Sequence, residues 1–241
     1  MNQATKVFIF IGPPGAGKGS LSSLCVKSFG WLQISTGNLC RKHIAEQTKI
    51  GKEIDLIIKS GKLINDDLIN LMVFQWLNEN TGKASGVIFD GYPRTVAQAE
   101  AFDTLINSQL PDVQVKVVLF ELSDDIVVNR LCSRYICQNK ECQAVYSLSP
   151  EADLTSIVTT VCDLCSGHLG RRDDDTETAV RKRLDIYHRH ESQLIDFYRH
   201  NDIEIITLDA SKPLAEVFDA FVTAVGINSA FVTAQGINLD T

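Results

Sequence analysis

The feature that most constrains this chain is the junction KVFIFIGPPGAGKGS at residues 6–20. KVFIFI (6–11) is a short, nearly all-apolar run with β-branched and aromatic residues, the pattern of a strand buried on both faces of a parallel sheet. A glycine-rich turn follows, Gly12-Pro13-Pro14-Gly15-Ala16-Gly17-Lys18-Gly19-Ser20, and opens into a helical pattern over Gly19 to Ser28. Such a loop turns successive backbone N–H groups inward at a helix N-terminus, where the peptide dipoles already favour negative charge. Lys18 adds a compact cation for the outer phosphates of a nucleotide. The general pattern has a hydroxyl directly after the lysine; here Gly19 intervenes and the hydroxyl comes at Ser20. A purely structural turn needs no lysine in this register, so phosphate binding is the stronger reading.

Four further runs read as strands: LQIS (32–35), GVIFD (86–90), VKVVLFEL (115–122) and IEIITL (203–208). Helical patterns lie between them at Asp66 to Asn78, Thr95 to Asn107 and Thr176 to Tyr198. Strands alternating with helices predict an open parallel sheet with helices on its faces. A chain of 241 residues is long enough to bury a sizeable core, and 44% hydrophobic with 22% charged residues is a globular composition. The net charge of −7 argues against a general binder of nucleic acid or anionic membrane. No cationic, apolar leader pattern opens the chain, and no apolar run approaches the ~20 residues of a membrane span. A cytosolic chain with reduced thiols is the expectation.

Two more loops follow strand ends, where open α/β sheets bind ligands. Ser35-Thr36-Gly37-Asn38-Leu39-Cys40-Arg41 comes after the second strand, and Asp90-Gly91-Tyr92-Pro93-Arg94-Thr95 after the third. Each supplies an arginine suited to bidentate phosphate contact. Asp90 ends its strand beside the phosphate loop, a place from which a carboxylate can hold Mg²⁺ through water. A lone arginine is usually a solvated surface charge; two on ligand-facing loops next to a phosphate loop are not.

The segment 134–172 breaks the strand–helix rhythm, and four of the seven cysteines gather there in two pairs, Cys137/Cys142 and Cys162/Cys165. In a reducing compartment such pairs read as metal ligands before disulfides. The second pair is C-x2-C; the first is C-x4-C, still within the range of structural zinc sites. Free thiols in a drifted insert are the alternative. Cys132 is a spare thiol just outside, Cys25 and Cys40 read as packing residues, and His168 as a surface residue. Near the C-terminus AFVTAVGIN (220–228) recurs as AFVTAQGIN (230–238). One copy can complete a last helix; the second reads as a duplicated tail.

Taken together and in order, GPPGAGKGS, QISTGNLCR with GKLINDDL, FDGYPRTVAQAE, and Arg130 to Arg134 with RRDDDTETAVRKRL (171–184) resemble the adenylate kinase family, nucleoside monophosphate kinases with a long lid. The likeness covers residues 5 to about 225. It implies a three-layer α/β/α fold on a five-stranded parallel sheet, a helical monophosphate-binding insert and a small lid. The implied division is a core of 1–35, 66–129 and 173–241, an insert of 36–65 and a lid of 130–172. It implies that Lys18, with the amides of Gly15, Ala16, Gly17, Gly19 and Ser20, holds the phosphates of ATP. Arg130 and the main chain near Lys212 would meet the ATP adenine. Thr36, Arg41, Gly91, Arg94 and Gln98 would form the AMP site, and Arg134, Arg172 and Arg183 would close on the transferring phosphoryl group, the last two also facing AMP. Asp90 would organise Mg²⁺. Gln98 favours AMP over UMP or CMP. Some family members carry a four-cysteine zinc clip in the lid, and here Cys137, Cys142, Cys162 and Cys165 would hold it as a closed structural site, with hinges near Arg130 and Asp173 to Asp175.

The sequence departs from the family at Asn38, usually Asp, and at Ser133, usually Gly. Arg171 beside Arg172 leaves open which one points inward, the spacing to Arg183 favouring Arg172. Other readings remain: a UMP or CMP kinase, a GTP-using relative, or a nucleotide-gated binding module whose zinc ribbon docks a partner. Nothing calls for an obligate assembly, so a monomer is expected.

Overall fold

The computed structural model describes residues 6–59, 64–80, 82–109, 113–139, 142, 144–147 and 160–227. Its centre is a five-stranded, all-parallel sheet in the order β2-β3-β1-β4-β8, built from β1 (Lys6–Ile11), β2 (Leu32–Ser35), β3 (Gly86–Asp90), β4 (Gln114–Glu121) and β8 (Ile205–Asp209). β1 lies in the middle, flanked by β3 and β4 in matched register, with Phe8 between Ile88 and Lys116. The chain runs from β1 outward to β2, back to β3, and then to the other side of β1. The crevice outside the carboxyl end of β1 is therefore the switch point at which ligands bind in such sheets.

The period-2 alternation of β1, with both faces covered, explains why Val7 to Ile11 are all apolar. Val7, Ile9 and Ile11 face one helix layer, where they meet Met72 and Val73 of α4 (Asp66–Asn80), Phe102 of α5 (Val96–Gln109) and Leu194 and Tyr198 of α7 (Glu177–His200). Phe8 and Phe10 face the other, against Leu21 and Cys25 of α1 (Lys18–Phe29) and Phe218 and Phe221 of α8 (Leu214–Ala224). Phe8 stacks on Trp31 at 4.9 Å and meets Phe221 edge-on at 5.4 Å. Both faces exclude water from Val7 to Ile11, and the one charged residue, Lys6, stands at the half-buried start of the strand.

Element ends follow their caps. Thr95 stands just before α5 rather than inside it, its hydroxyl accepting from the Gln98 N–H at 3.2 Å. Thr176 likewise precedes α7 and accepts from the Ala179 N–H at 3.4 Å. Three helices had no separate signal in the sequence reading. α2 (Thr36–Ala45) and α3 (Lys49–Lys59) form the helical insert after β2, and α6 (Asp124–Cys132) follows β4 with Ser123 as its cap. α6 packs Val127, Val128 and Leu131 on Val180 and Leu184 of α7.

Beyond α6 the chain enters a second, three-stranded antiparallel sheet in the order β6-β5-β7, made of β5 (Arg134–Cys137), β6 (Val145–Ser147) and β7 (Leu169–Gly170). Among the described residues its own buried cluster is small: Cys137, Tyr146, Cys162 and Leu169. Units with small cores are commonly held by a staple such as a metal. The first copy of the repeated tail segment completes α8; the second lies outside the described residues, as does 61–63 of the insert. No helix among the described residues is long and apolar enough to cross a membrane.

Candidate active site and metal centre

The phosphate loop owes its shape to two left-handed glycines, Gly15 at φ 80° and Gly17 at φ 84°, conformations that cost a side-chain-bearing residue strain. Gly17 is the N-cap of α1 and no side chain caps this helix, so its first N–H groups point into the crevice. Lys18 folds back across the loop and donates to the carbonyls of Gly12 (2.7 Å) and Pro13 (2.8 Å). Desolvation in the crevice lowers its pKa to about 8; Asp90 opposes the shift, while Arg94 and Arg183 add to it. Asp90 Oδ2 lies 3.5 Å from where a Cβ on Gly19 would stand, so this carboxylate faces the start of α1 as the strand-end reading expects.

The loop after β3 is internally braced. Thr36 donates to the Gly91 carbonyl at 2.8 Å, and Arg94 Nε donates to the same oxygen at 2.7 Å. Gly91 has φ 76°, and a Cβ there would stand 2.8 Å from Arg94 Nη2, so a larger residue would displace the guanidinium. Gln98 is buried; its Oε1 accepts from the Arg94 N–H at 2.8 Å and its Nε2 donates to Asp66 Oδ1 at 2.6 Å. Asp66 Oδ2 in turn accepts from the Thr95 hydroxyl at 2.7 Å. An amide has two donor hydrogens and two acceptor lone pairs, so half of Gln98's capacity remains for a ligand. Asp66 lies in GKLINDDL, but the sequence offered no sign that it sets the orientation of Gln98.

Arginines converge on this mouth. Arg41 and Arg172 lie in each other's field and in that of Arg134, and Arg183 acts on Lys18, Arg41 and Arg94. Arg94 keeps access to solvent through the cleft, while the protein packed around it lowers its pKa by desolvation. Arg172 is pushed down to about 10, first by desolvation and then by Arg134 and Arg41. Asp90, Asp174 and Asp175 offset part of this positive charge, and an anion in the crevice would offset more of it. Asp175, 1% exposed, binds Arg134 through both fork positions, and Asp174 accepts from Arg183 at 3.1 Å. Arg41 is held by the Asn38 side-chain oxygen.

Arg171 is turned away, donating to the Cys132 carbonyl at 2.7 Å and the Asp175 carbonyl at 3.2 Å. Ser133 caps the end of α6 through the Asn129 carbonyl. Arg130 donates to the carbonyls of Ala210 (2.7 Å) and Ser211 (3.3 Å), which places it against the turn that carries the exposed Lys212.

A family model described as adenylate kinase matches residues 10–203. The chain belongs to the adenylate kinase family. Adenylate kinase of Thermosipho melanesiensis is 37% identical over 209 residues, 87% of this chain and 94% of its own length. That of Fervidobacterium nodosum is 37% identical over 218 residues, covering 90% and 96%. That of Treponema denticola is 38% identical over 214 residues, covering 88% and 96%. The adenylate kinase resemblance read from the motifs, and the α/β fold with its five-stranded parallel sheet, are thus borne out. The chain is a kinase of the nucleoside monophosphate class.

The second centre of this adenylate kinase relative is the small sheet. The sulfurs of Cys137, Cys142, Cys162 and Cys165 all lie within 4.8 Å of one another, positioned to hold a metal ion. Cys137 and Cys165 sulfurs are 3.3 Å apart, and Cys142 and Cys162 sulfurs 3.6 Å. Four thiolates at ~2.3 Å around a tetrahedral zinc stand about 3.8 Å apart, so the donor set and its size fit that ion. A Cβ on Gly167 would stand 2.9 Å from the Cys137 sulfur and 3.2 Å from that of Cys165, a cradle only glycine leaves open. The longer first knuckle does reach, while Cys132 ends α6 against the α6–α7 contact and His168 is exposed, both outside the cluster. Cys25 and Cys40 are buried.

Proposed function

We propose that this chain catalyses reversible, Mg²⁺-dependent phosphoryl transfer from ATP to AMP, giving two ADP. The observation that carries the proposal is the meeting of Arg41, Arg94, Arg134, Arg172 and Arg183 in front of the Lys18 loop. Phosphoryl transfer asks for in-line positioning and compensation of charge on the transferred group, not for a covalent nucleophile. The uncapped amides of α1 and Lys18 hold the ATP phosphates. On binding, Lys18 exchanges the Gly12 and Pro13 carbonyls for phosphate oxygens. Arg41 and Arg94 hold the AMP phosphate, with Thr36 and Gly91 shaping the loop. Gln98 offers its remaining donor and acceptor to the AMP base. Arg134, Arg172 and Arg183 neutralise the phosphoryl group in flight. Arg130 and the main chain by Lys212 bound the ATP base. Asp90 would hold Mg²⁺ through water ligands, and the ion would supply charge compensation for the phosphates.

The small sheet serves as a lid over the donor, with zinc in its four-cysteine clip as a closed structural site. Residues 130–172 move as that lid and 36–65 as the acceptor-binding insert, against the core. Closure excludes water, the competing acceptor that would turn transfer into hydrolysis. The test is ADP formation from ATP with AMP, UMP or CMP, from GTP with AMP, and from ATP alone. Brisk turnover only with ATP and AMP supports the assignment. Preference for UMP or CMP would reassign the acceptor, and nucleotide binding without transfer would make the chain a binding module.

A further inference from the structure

Tyr146 lies in the middle of β6, buried, and its side chain takes no part in the nucleotide site. Its hydroxyl sits 3.3 Å from the Cys162 sulfur and accepts a hydrogen bond from the Asp163 N–H at 3.0 Å. With that lone pair occupied by the amide, the hydroxyl proton is directed at the sulfur. The second knuckle is otherwise a rigid backbone unit. Cys162 N–H donates to the Gly167 carbonyl at 2.8 Å, and Ser166 N–H returns to the Cys162 carbonyl at 2.8 Å through a left-handed Ser166. The first knuckle is two residues longer than its partner and is held to itself by a Cys142 N–H to Asn139 carbonyl bond of 3.1 Å.

We propose that Tyr146 is a positioning residue of the metal clip: its hydroxyl donates to the Cys162 thiolate, fixes the sulfur for coordination and slows metal release. The inference rests on the zinc reading of the four cysteines. A hydrogen bond from outside the coordination sphere orients a ligand and stabilises its charged form, and removing one commonly costs 10–100-fold in metal retention. Tyr146 does this from a different strand than either knuckle. It thereby ties the second knuckle to the sheet that carries the first, so the longer C-x4-C pair has a fixed partner to close on.

The experiment uses the full chain loaded with zinc, and reads release into a colorimetric chelator. Tyr146→Phe keeps the ring and loses only the donor; Tyr135→Phe, its cross-strand neighbour on β5, is the control. Release about tenfold or more faster from Tyr146→Phe, with Tyr135→Phe like the parent, is the expected result. Cobalt-loaded protein gives a second readout free of any packing effect on the rate. Loss of the hydrogen bond raises the sulfur lone-pair energy, so the thiolate-to-cobalt charge-transfer band moves to longer wavelength. A parent chain that holds zinc while Tyr146→Phe releases it at the parent rate, with an unmoved cobalt band, overturns this proposal alone. A parent chain that takes up neither metal overturns it together with the zinc reading.

Discussion

Asp175 accepts both forks of the Arg134 guanidinium, Nε to Oδ2 at 2.8 Å and Nη2 to Oδ1 at 2.6 Å, with no solvent reaching the carboxylate. The two residues stand at opposite flanks of the small sheet, one where the chain enters it and one just after it leaves. Closing that gap fixes the direction of Arg134, an arginine of the proposed phosphoryl site, and joins the two flanks in one bond pair. Removing one partner of a buried pair leaves the other charge uncompensated. Asp175→Ala is expected to lose about 3 kcal/mol of stability in denaturant unfolding. Its kcat should fall about a hundredfold, because a misaimed Arg134 no longer meets the phosphoryl group. A variant with parental stability and kcat would remove the pair from both roles.

Lys18 sets an opposed pair of pH trends. Its pKa in the folded, substrate-free chain is about 8, below the ordinary 10.5. Between those values the unfolded chain binds more protons, so this group's contribution to stability grows as pH rises from 8 and is lost as pH falls back through it. ATP binding runs the other way, because the neutral amine attracts phosphate poorly. We expect kcat/KM for ATP to fall about tenfold per pH unit above ~8. Calorimetry in buffers of different ionisation heat should show proton uptake on ATP binding near that pH. Lys18→Met should lose activity and this pH-dependent share of stability; a parental pH profile of stability in that variant would contradict the assignment.

Gly167→Ala places a methyl group 2.9 Å from the Cys137 sulfur and 3.2 Å from that of Cys165. Both must move, and a four-thiolate site has little slack. Zinc per chain after dialysis against a chelator should drop, with affinity weaker by at least about tenfold, or ~1.4 kcal/mol. Hydrogen exchange should quicken in β5 to β7 and stay unchanged in the five-stranded sheet. Full zinc retention would show that the clip is softer than its geometry suggests.

His188 on α7 reaches Asp124 at the start of α6 (3.0 Å) and Glu191 on its own helix (3.3 Å). Desolvation works against its protonation, but the bonds to Asp124 and Glu191 outweigh it and raise the pKa. Its stabilising effect is therefore complete below the ordinary 6.5 and fades as pH rises through the raised value. Half-exposed as it is, the bridge should contribute no more than about 1 kcal/mol. Comparing His188→Gln with the parent at pH 5.5 and 9 should show a stability difference only at the lower pH; an equal difference at both would mean packing, not charge, is what the histidine supplies.

Much of the site was legible because its parts are local. A phosphate loop is one stretch of backbone, so Gly15, Gly17 and Lys18 announce it in consecutive residues. Arg41 and Arg94 were readable because each follows a strand end by a few positions. The four cysteines were readable because thiolate spacing is itself the signal. Asp66 and Tyr146 were not: their contacts to Gln98 and Cys162 span 32 and 16 positions, and an aspartate or tyrosine in a helix or strand looks like any other. Helix α6 was missed for a different reason. Its nine residues are rich in valine and isoleucine, and it is held by packing on α7 more than by any periodicity of its own.

The sequence by itself determined the alternation of strand and helix, the position of the phosphate loop, the arginine-bearing loops and the paired cysteines, all properties of neighbours along the chain. Spacing to Arg183 already favoured Arg172 over Arg171, and the structure turns Arg171 away; only the tertiary structure decided that Asp175 rather than Asp174 takes Arg134, and that a C-x4-C knuckle closes on a C-x2-C one. Adjacent residues share composition and charge, so the sequence weights them almost equally. Which side chain points inward depends on backbone direction at each position, and that direction is set by the strands and helices packed around it.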